Sequence, residues 1–249
     1  MDRAALDAAY NNGAAVPGSP EIVAEWRRRS EIPRASAKEL RYGSAERNRI
    51  DYFEAKAGAP LLVFIHGGYW QMREKETFGF LAAGPLAHGI SVALVGYTLA
   101  PEKRLDGIVA EVRAALDFLA RPLVVSGWSA GGHLTAMMMH HPNVRGGLSI
   151  SGIFDLEPIR LCYLNEKLQL DEAEARRNSP LLQEGSGKKC VIAYGTSELP
   201  ELQRQSKEYA ARFGHRLLPL AGHDHFSILE ELASPGGALS AAVRDLALK

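Results

Sequence analysis

Short apolar runs recur along the chain at residues 61–65, 90–95, 123–125, 147–151, 190–194 and 217–220. Each is too short for a helix, and Leu61-Leu62-Val63-Phe64-Ile65 has no polar position, as a strand buried on both faces requires. Helical spacing fills the intervals. Asp106 is placed to cap a helix whose apolar positions are Ile108, Val112, Ala115 or Leu116, and Leu119, with Pro122 beyond its end. A second helix follows Ser129, a third carries Leu202, Ser206, Tyr209 and Phe213 and stops at Gly214, and a last one carries Leu239, Val243 and Leu246. Strands alternating with helices predict a mostly parallel central sheet with helices on both faces, an α/β fold.

The remaining segments break this rhythm. Residues 39–42 and 49–53 alternate apolar and polar positions and read as an antiparallel opening to the sheet. Residues 1–40 read as a poorly defined N-terminal arm, with turns at Asn11-Asn12-Gly13 and Pro17-Gly18-Ser19-Pro20. Within it, Ile22, Val23 and Trp26 suggest a short helix over residues 21–30, with Arg27, Arg28 and Arg29 as its solvated end. Residues 152–188 interrupt the strand–helix alternation and read as a small cap, in which Asp171, Glu172 and Glu174 precede Arg176 and Arg177 as helix-dipole charges do. The expectation is one domain over residues 1–249, the arm completing the pocket or a homodimer contact.

Charge narrows the partners. Lys and Arg number 29 and Asp and Glu 29, which removes any electrostatic argument for nucleic acid or an anionic membrane and favours a small-molecule substrate. The first residues are partly acidic and no run has the length of a membrane span, so the expected location is the cytoplasm. Cys162 and Cys190, the 2 cysteines, are too few for a disulfide framework or zinc site and read as reduced packing residues.

The candidate chemistry lies where residues 123–125 meet the next helix. Gly127-Trp128-Ser129-Ala130-Gly131 fits the G-x-S-x-G nucleophile elbow, which exposes a serine hydroxyl on a strained strand-to-helix turn. A serine hydroxyl needs a base, and the base an orienting carboxylate. In this architecture the chain order is serine, acid, histidine, and ligands gather beyond the carboxyl ends of the strands. His225, in Gly222-His223-Asp224-His225-Phe226, is the base chosen, because Phe226 and Ile228 read as the start of an anchored helix; His223 is the alternative. Glu198, just after the strand at 190–194, is the acid chosen, with Asp155 its rival. The pair His223 and His225 lacks a third metal ligand at recognisable spacing, so no metal and no cofactor are expected. The oxyanion donors expected are the backbone N–H of Ala130 and those of Gly67 and Gly68, with His66 a packing residue. Tyr69, Trp70, Trp128 and Phe154 are candidate walls of the substrate pocket.

On these residues the chain resembles the α/β-hydrolase superfamily, in its hormone-sensitive-lipase-like branch, and within that the kynurenine formamidase (arylformamidase) group. The resemblance rests on His66-Gly67-Gly68-Tyr69-Trp70, Gly127 to Leu134, Ser151-Gly152-Ile153-Phe154-Asp155-Leu156-Glu157-Pro158, Asn178-Ser179-Pro180-Leu181 and His223-Asp224-His225-Phe226. It implies an α/β-hydrolase fold, a triad of Ser129, Glu198 and His225, and hydrolysis of N-formyl-kynurenine through a formyl-serine. Animal formamidases of the group place an aspartate where Glu198 stands. A short-acyl carboxylesterase or deacetylase is the second reading. The third, a non-catalytic binding protein on the same fold, would not need the triad and the oxyanion glycines together.

Overall fold

The computed structural model describes residues 2–248. Its strands are β1 (Lys38–Arg41), β2 (Arg49–Phe53), β3 (Leu61–Ile65), β4 (Ser91–Val95), β5 (Leu123–Trp128), β6 (Val144–Ile150), β7 (Cys190–Gly195) and β8 (Arg216–Leu220). They form one sheet in the order β1-β2-β4-β3-β5-β6-β7-β8. β2 runs antiparallel to both β1 and β4, and the pairs from β4 through to β8 are parallel. This is the architecture expected from the alternation of strands and helices, including the antiparallel opening.

The unbroken apolar runs are explained by the two faces of the sheet. Along β3, Leu61, Val63 and Ile65 join one apolar cluster and Leu62 and Phe64 the other, because successive strand side chains point to opposite faces. The first face packs the helices Leu105–Leu119, Ala130–Met138 and Pro200–Phe213, and the second packs Ser19–Ala35 and Ala238–Leu248. Among the described residues, no helix is long and apolar enough to cross a membrane.

Several local expectations are corrected. The helix Leu105–Leu119 begins one residue before Asp106, with Arg104 at the cap position and no side-chain cap. Asp106 instead lies in the first turn, where Arg177 and Asn178 Nδ2 (2.6 Å) bind its carboxylate. The connection from β3 to β4 contains a 3₁₀ helix, Lys75–Ala82, and the helix Ala83–Ala87, neither of which the apolar pattern announced. The arm is not poorly defined: it forms the helices Arg3–Ala9, Asn12–Ala15 and Ser19–Ala35. Its anchors lie far along the chain. Tyr10 is fully buried and donates its hydroxyl to Glu201 (2.8 Å), and the N–H of Tyr163 donates to Asp7 (2.7 Å). The long helix runs past Ser30, and its arginines are paired rather than merely solvated: Arg27 with Glu74 and Arg29 with Glu230, each at 2.7 Å.

The segment after β6 holds the short helices Glu157–Arg160, Asn165–Leu168 and Glu172–Arg177. Asp171 caps the third by accepting from the N–H of Glu174 at 2.7 Å, the role its position suggested. A histidine ties this segment to the core. Trp70 Nε1–H donates to His133 Nδ1 (3.2 Å), and because an indole can only donate, the imidazole proton sits on Nε2 and is donated to the carbonyl of Asn178 (2.7 Å). Burial pushes the pKa of His133 down to about 4, and the same cause holds His66 at about 4.

Both imidazoles are therefore neutral in the native state where the unfolded chain takes up protons. Native stability should be complete above the ordinary histidine range, near pH 6.5, and fall as pH drops toward 4. Thermal melts should show a falling Tm across that window, with a shallower slope in His133→Gln. A slope unchanged by the substitution would contradict a neutral buried His133.

Candidate active site

Ser129 follows β5 with φ 58° and ψ −119°, a conformation that costs a non-glycine residue about 1–3 kcal/mol and persists only where its surroundings enforce it. Here the enforcement is visible. The N–H of Ser129 donates to the carbonyl of Ile150 at the end of β6 (2.8 Å), and the next residue starts the helix Ala130–Met138. That helix lies hard against the strand ends. A Cβ on Gly131 would stand 1.9 Å from the carbonyl oxygen of Ile65, and one on Gly127 2.3 Å from that of Gly131. Only hydrogen at both positions permits this approach.

A buried carboxylate stands beyond β7. Glu198 Oε2 accepts from His225 Nδ1 at 3.1 Å, while its Oε1 accepts from the Ser151 hydroxyl and the Gly195 N–H, each at 2.6 Å. A carboxylate offers no proton, so Nδ1 carries one and Nε2 is left as the free acceptor, the tautomer a general base requires. The carbonyl of His225 accepts from Trp128 Nε1 (2.7 Å), which ties the histidine loop to the residue before Ser129. His225 and Ser129 line the same cavity, of about 160 Å³. The two rivals stand elsewhere. His223 Nε2 faces Glu231 at 3.4 Å, and Asp155 accepts from the N–H of Glu157 at 3.1 Å.

The turn after β3 supplies the opposite wall. A Cβ on Gly67 would lie 2.6 Å from the carbonyl oxygen of Trp128 and 3.0 Å from Ser129 Cβ, so bare backbone passes directly beside the serine. The N–H groups of Gly67, Gly68 and Ala130 meet no acceptor among the described residues. Such unengaged donors beside a serine can stabilise an oxyanion. His66 is fully buried, with its ring stacked on Tyr97 at a centroid distance of 4.3 Å, and it does not line the cavity.

Residues 62–225 match the family of the α/β hydrolase fold. The chain belongs to the α/β-hydrolase family. A kynurenine formamidase of Danio rerio is 34% identical, over 77% of this chain and 75% of its own length. A kynurenine formamidase of Drosophila melanogaster is 28% identical, over 84% of this chain and 81% of its own. Among solved structures, a Silicibacter protein with a provisional thioesterase assignment superimposes with a TM-score of 0.90 at 32% identity, covering 96% of this chain and 98% of the other. An esterase of Pyrobaculum calidifontis, 16% identical with a TM-score of 0.72 over 92% of this chain and 94% of its own, shares the fold.

This α/β hydrolase divides the four aromatic residues expected around the substrate into two pairs. Tyr69 and Trp128 line the cavity. Trp70 and Phe154 do not: both are fully buried, Trp70 against His133 and Phe154 stacked on Tyr209 at a centroid distance of 4.1 Å. Their chain positions beside the turns are as expected, but their side chains point into the core. In their place stand Asn11, Asn12, Met72, Arg73, Tyr163 and Phe226. Asn11 and Asn12 belonged to a turn signal, and nothing local marked them as neighbours of a serine more than a hundred positions on. Ser151 was likewise unassigned, although its φ of 51° turns its hydroxyl onto Glu198.

A serine–histidine–carboxylate relay in this order predicts that Glu198→Gln lowers kcat for p-nitrophenyl acetate by about 10³–10⁴, because an amide can hold the imidazole in the wrong tautomer. Asp155→Asn should stay within about threefold of wild type on the same substrate. The reverse ranking would move the acid to Asp155.

Proposed function

We propose that this chain hydrolyses N-formyl-kynurenine, an aryl formamide, to kynurenine and formate through a formyl-serine. The observation that carries the reading is the joining of Ser129, a Glu198-bound His225 and unengaged N–H groups around one cavity, in a relative of kynurenine formamidases.

In this reading Ser129 Oγ attacks the formyl carbon while His225 Nε2 takes its proton. The oxyanion forms among the N–H groups of Gly67, Gly68 and Ala130, where loss of one donor typically costs about 3–4 kcal/mol of transition-state stabilisation. The C–N bond breaks as His225 returns the proton to the aniline nitrogen. Water then attacks the formyl-serine, giving its proton to His225, and formate leaves as Ser129 is reprotonated. Glu198 holds the Nδ1–H of His225 throughout and steadies the imidazolium. A formyl group is the smallest acyl, which suits a serine closely walled by Gly67, and Tyr69 and Trp128 offer flat surfaces to an arylamine. Cys162 and Cys190 are buried and unpaired, and burial pushes the Cys190 thiol up to about 12, in keeping with work in the reducing cytosol.

A short-acyl ester hydrolase is the second reading, favoured by the Silicibacter structure with its thioesterase assignment. The same site serves both, since acyl transfer to serine does not require nitrogen in the leaving group.

The deciding measurement is kcat/KM for N-formyl-kynurenine beside p-nitrophenyl acetate, in wild type and Ser129→Ala. The expected result is a preference for the formyl anilide of at least about tenfold, with both activities lost in the variant. Ester cleavage with negligible formamide turnover would establish the esterase instead, and activity surviving in Ser129→Ala would reject the mechanism.

A further inference from the structure

Arg73 stands at the end of the turn that carries Gly67 and Gly68, with its backbone in the left-handed region at φ 76°. Arg47 Nη1 donates to its carbonyl at 3.0 Å. Its side chain passes over the turn: a Cβ on Gly68 would stand 2.7 Å from Arg73 Cγ. The residue lines the same cavity as Ser129 and His225.

Its charge is uncompensated. Two nearby arginines have carboxylates, Arg27 with Glu74 at 2.7 Å and Arg34 with Asp51 at 2.7 Å, while Arg47 donates to the Arg73 carbonyl. The guanidinium of Arg73 donates to no oxygen and meets no carboxylate among the described residues. Burial, and then the nearby positive charge of Arg27, hold its pKa below the usual arginine value, though a guanidinium remains charged at any physiological pH. A partly buried cation without a counter-ion is unfavourable unless something else supplies one.

A second unmet group faces the problem from the N-terminal arm. The Tyr69 hydroxyl donates to the carbonyl of Tyr10 (2.6 Å), so it receives its own hydrogen bond from Asn12 Nδ2 (2.8 Å). That fixes the amide and leaves Asn12 Oδ1, in a residue only 4% exposed, as a buried acceptor with no donor. Asn12 lines the same cavity. One wall thus lacks an anion and another lacks an N–H donor.

We infer that Arg73 binds a carboxylate of the substrate, so that the site selects substrates bearing a carboxylate head group. The inference rests on the formamidase reading only for which half of the substrate carries that head group, since a formyl group cannot. A guanidinium–carboxylate pair of this kind is charge-assisted and directional, and it acts mainly on binding.

The test compares N-formyl-L-kynurenine with N-(2-acetylphenyl)formamide, the same aryl ketone formamide without the amino-acid head, in wild type, Arg73→Gln and Arg73→Lys. The ratio of the two kcat/KM values should fall about tenfold or more in Arg73→Gln, chiefly through KM for formyl-kynurenine, and recover in part in Arg73→Lys. A ratio equal to wild type in Arg73→Gln, including an equal loss on both compounds, would overturn the assignment. Should Arg73→Gln fail to fold, a wild-type ratio in Arg73→Lys overturns it and an intermediate fall supports it. If wild type cleaves neither formamide, the formamidase reading falls and Arg73 is judged on phenyl acetate against 3-(2-acetoxyphenyl)propanoate. On that pair a lowered ratio in Arg73→Gln supports carboxylate recognition, and an unchanged one rejects it.

Discussion

The site depends on the contact between the start of the helix Ala130–Met138 and the ends of β3 and β5. A strained serine is stable only if its neighbours leave it no alternative, and here the constraint is steric: Gly131 lies so close to the Ile65 carbonyl that a single methyl group would overlap it. The same approach brings Gly67 against Ser129. The position of Ser129 and that of the Gly67–Gly68 turn are thus two results of one packing event.

Polar groups then complete what packing begins. Glu198 is buried, and a buried carboxylate is tolerated because the Ser151 hydroxyl, the Gly195 N–H and the His225 ring occupy its oxygens. Those three partners come from the ends of β6 and β7 and the loop after β8, so the carboxylate also joins neighbouring strand ends. On the other side of the elbow, the Trp26 ring meets Trp128 edge-on at 5.6 Å and Phe226 at 5.9 Å. The helix Ser19–Ala35 therefore supports both β5 and the loop of His225 through aromatic contact. Residues 11–13 extend that support into the cavity wall.

Two residues lining the cavity carry unmet polar groups. Glu198 has three donors, whereas the Arg73 guanidinium and Asn12 Oδ1 have no partner among the described residues. Buried polar groups are costly to leave unsatisfied, so an unpaired cation and an unmet acceptor in residues lining one cavity bear on what enters it.

Much of the fold was legible because strand and helix periods are local. Leu61 to Ile65 could only be a buried strand, and the helix Pro200–Phe213 announced itself by its spacing and by Gly214. The elbow and the Gly67–Gly68 turn were legible for a related reason: their chemistry demands small residues at fixed offsets within a few positions. Side-chain direction was not local in this sense. Trp70 and Phe154 stand next to functional turns, yet the backbone of those turns sends both rings into the core, where His133 and Tyr209 receive them. Nearness to the strand end favours Glu198 over Asp155, and the apolar Phe226 and Ile228 favour His225 over His223, but only the fold brings one pair within 3.1 Å. The arm was least legible. Its order comes from Glu201, Gln205 and Tyr163, and hydrogen bonds across such sequence distances leave no periodic trace in the chain. Sequence alone determined which residues could do the chemistry, whereas tertiary structure decided which of them meet, because meeting depends on distances that no local pattern encodes.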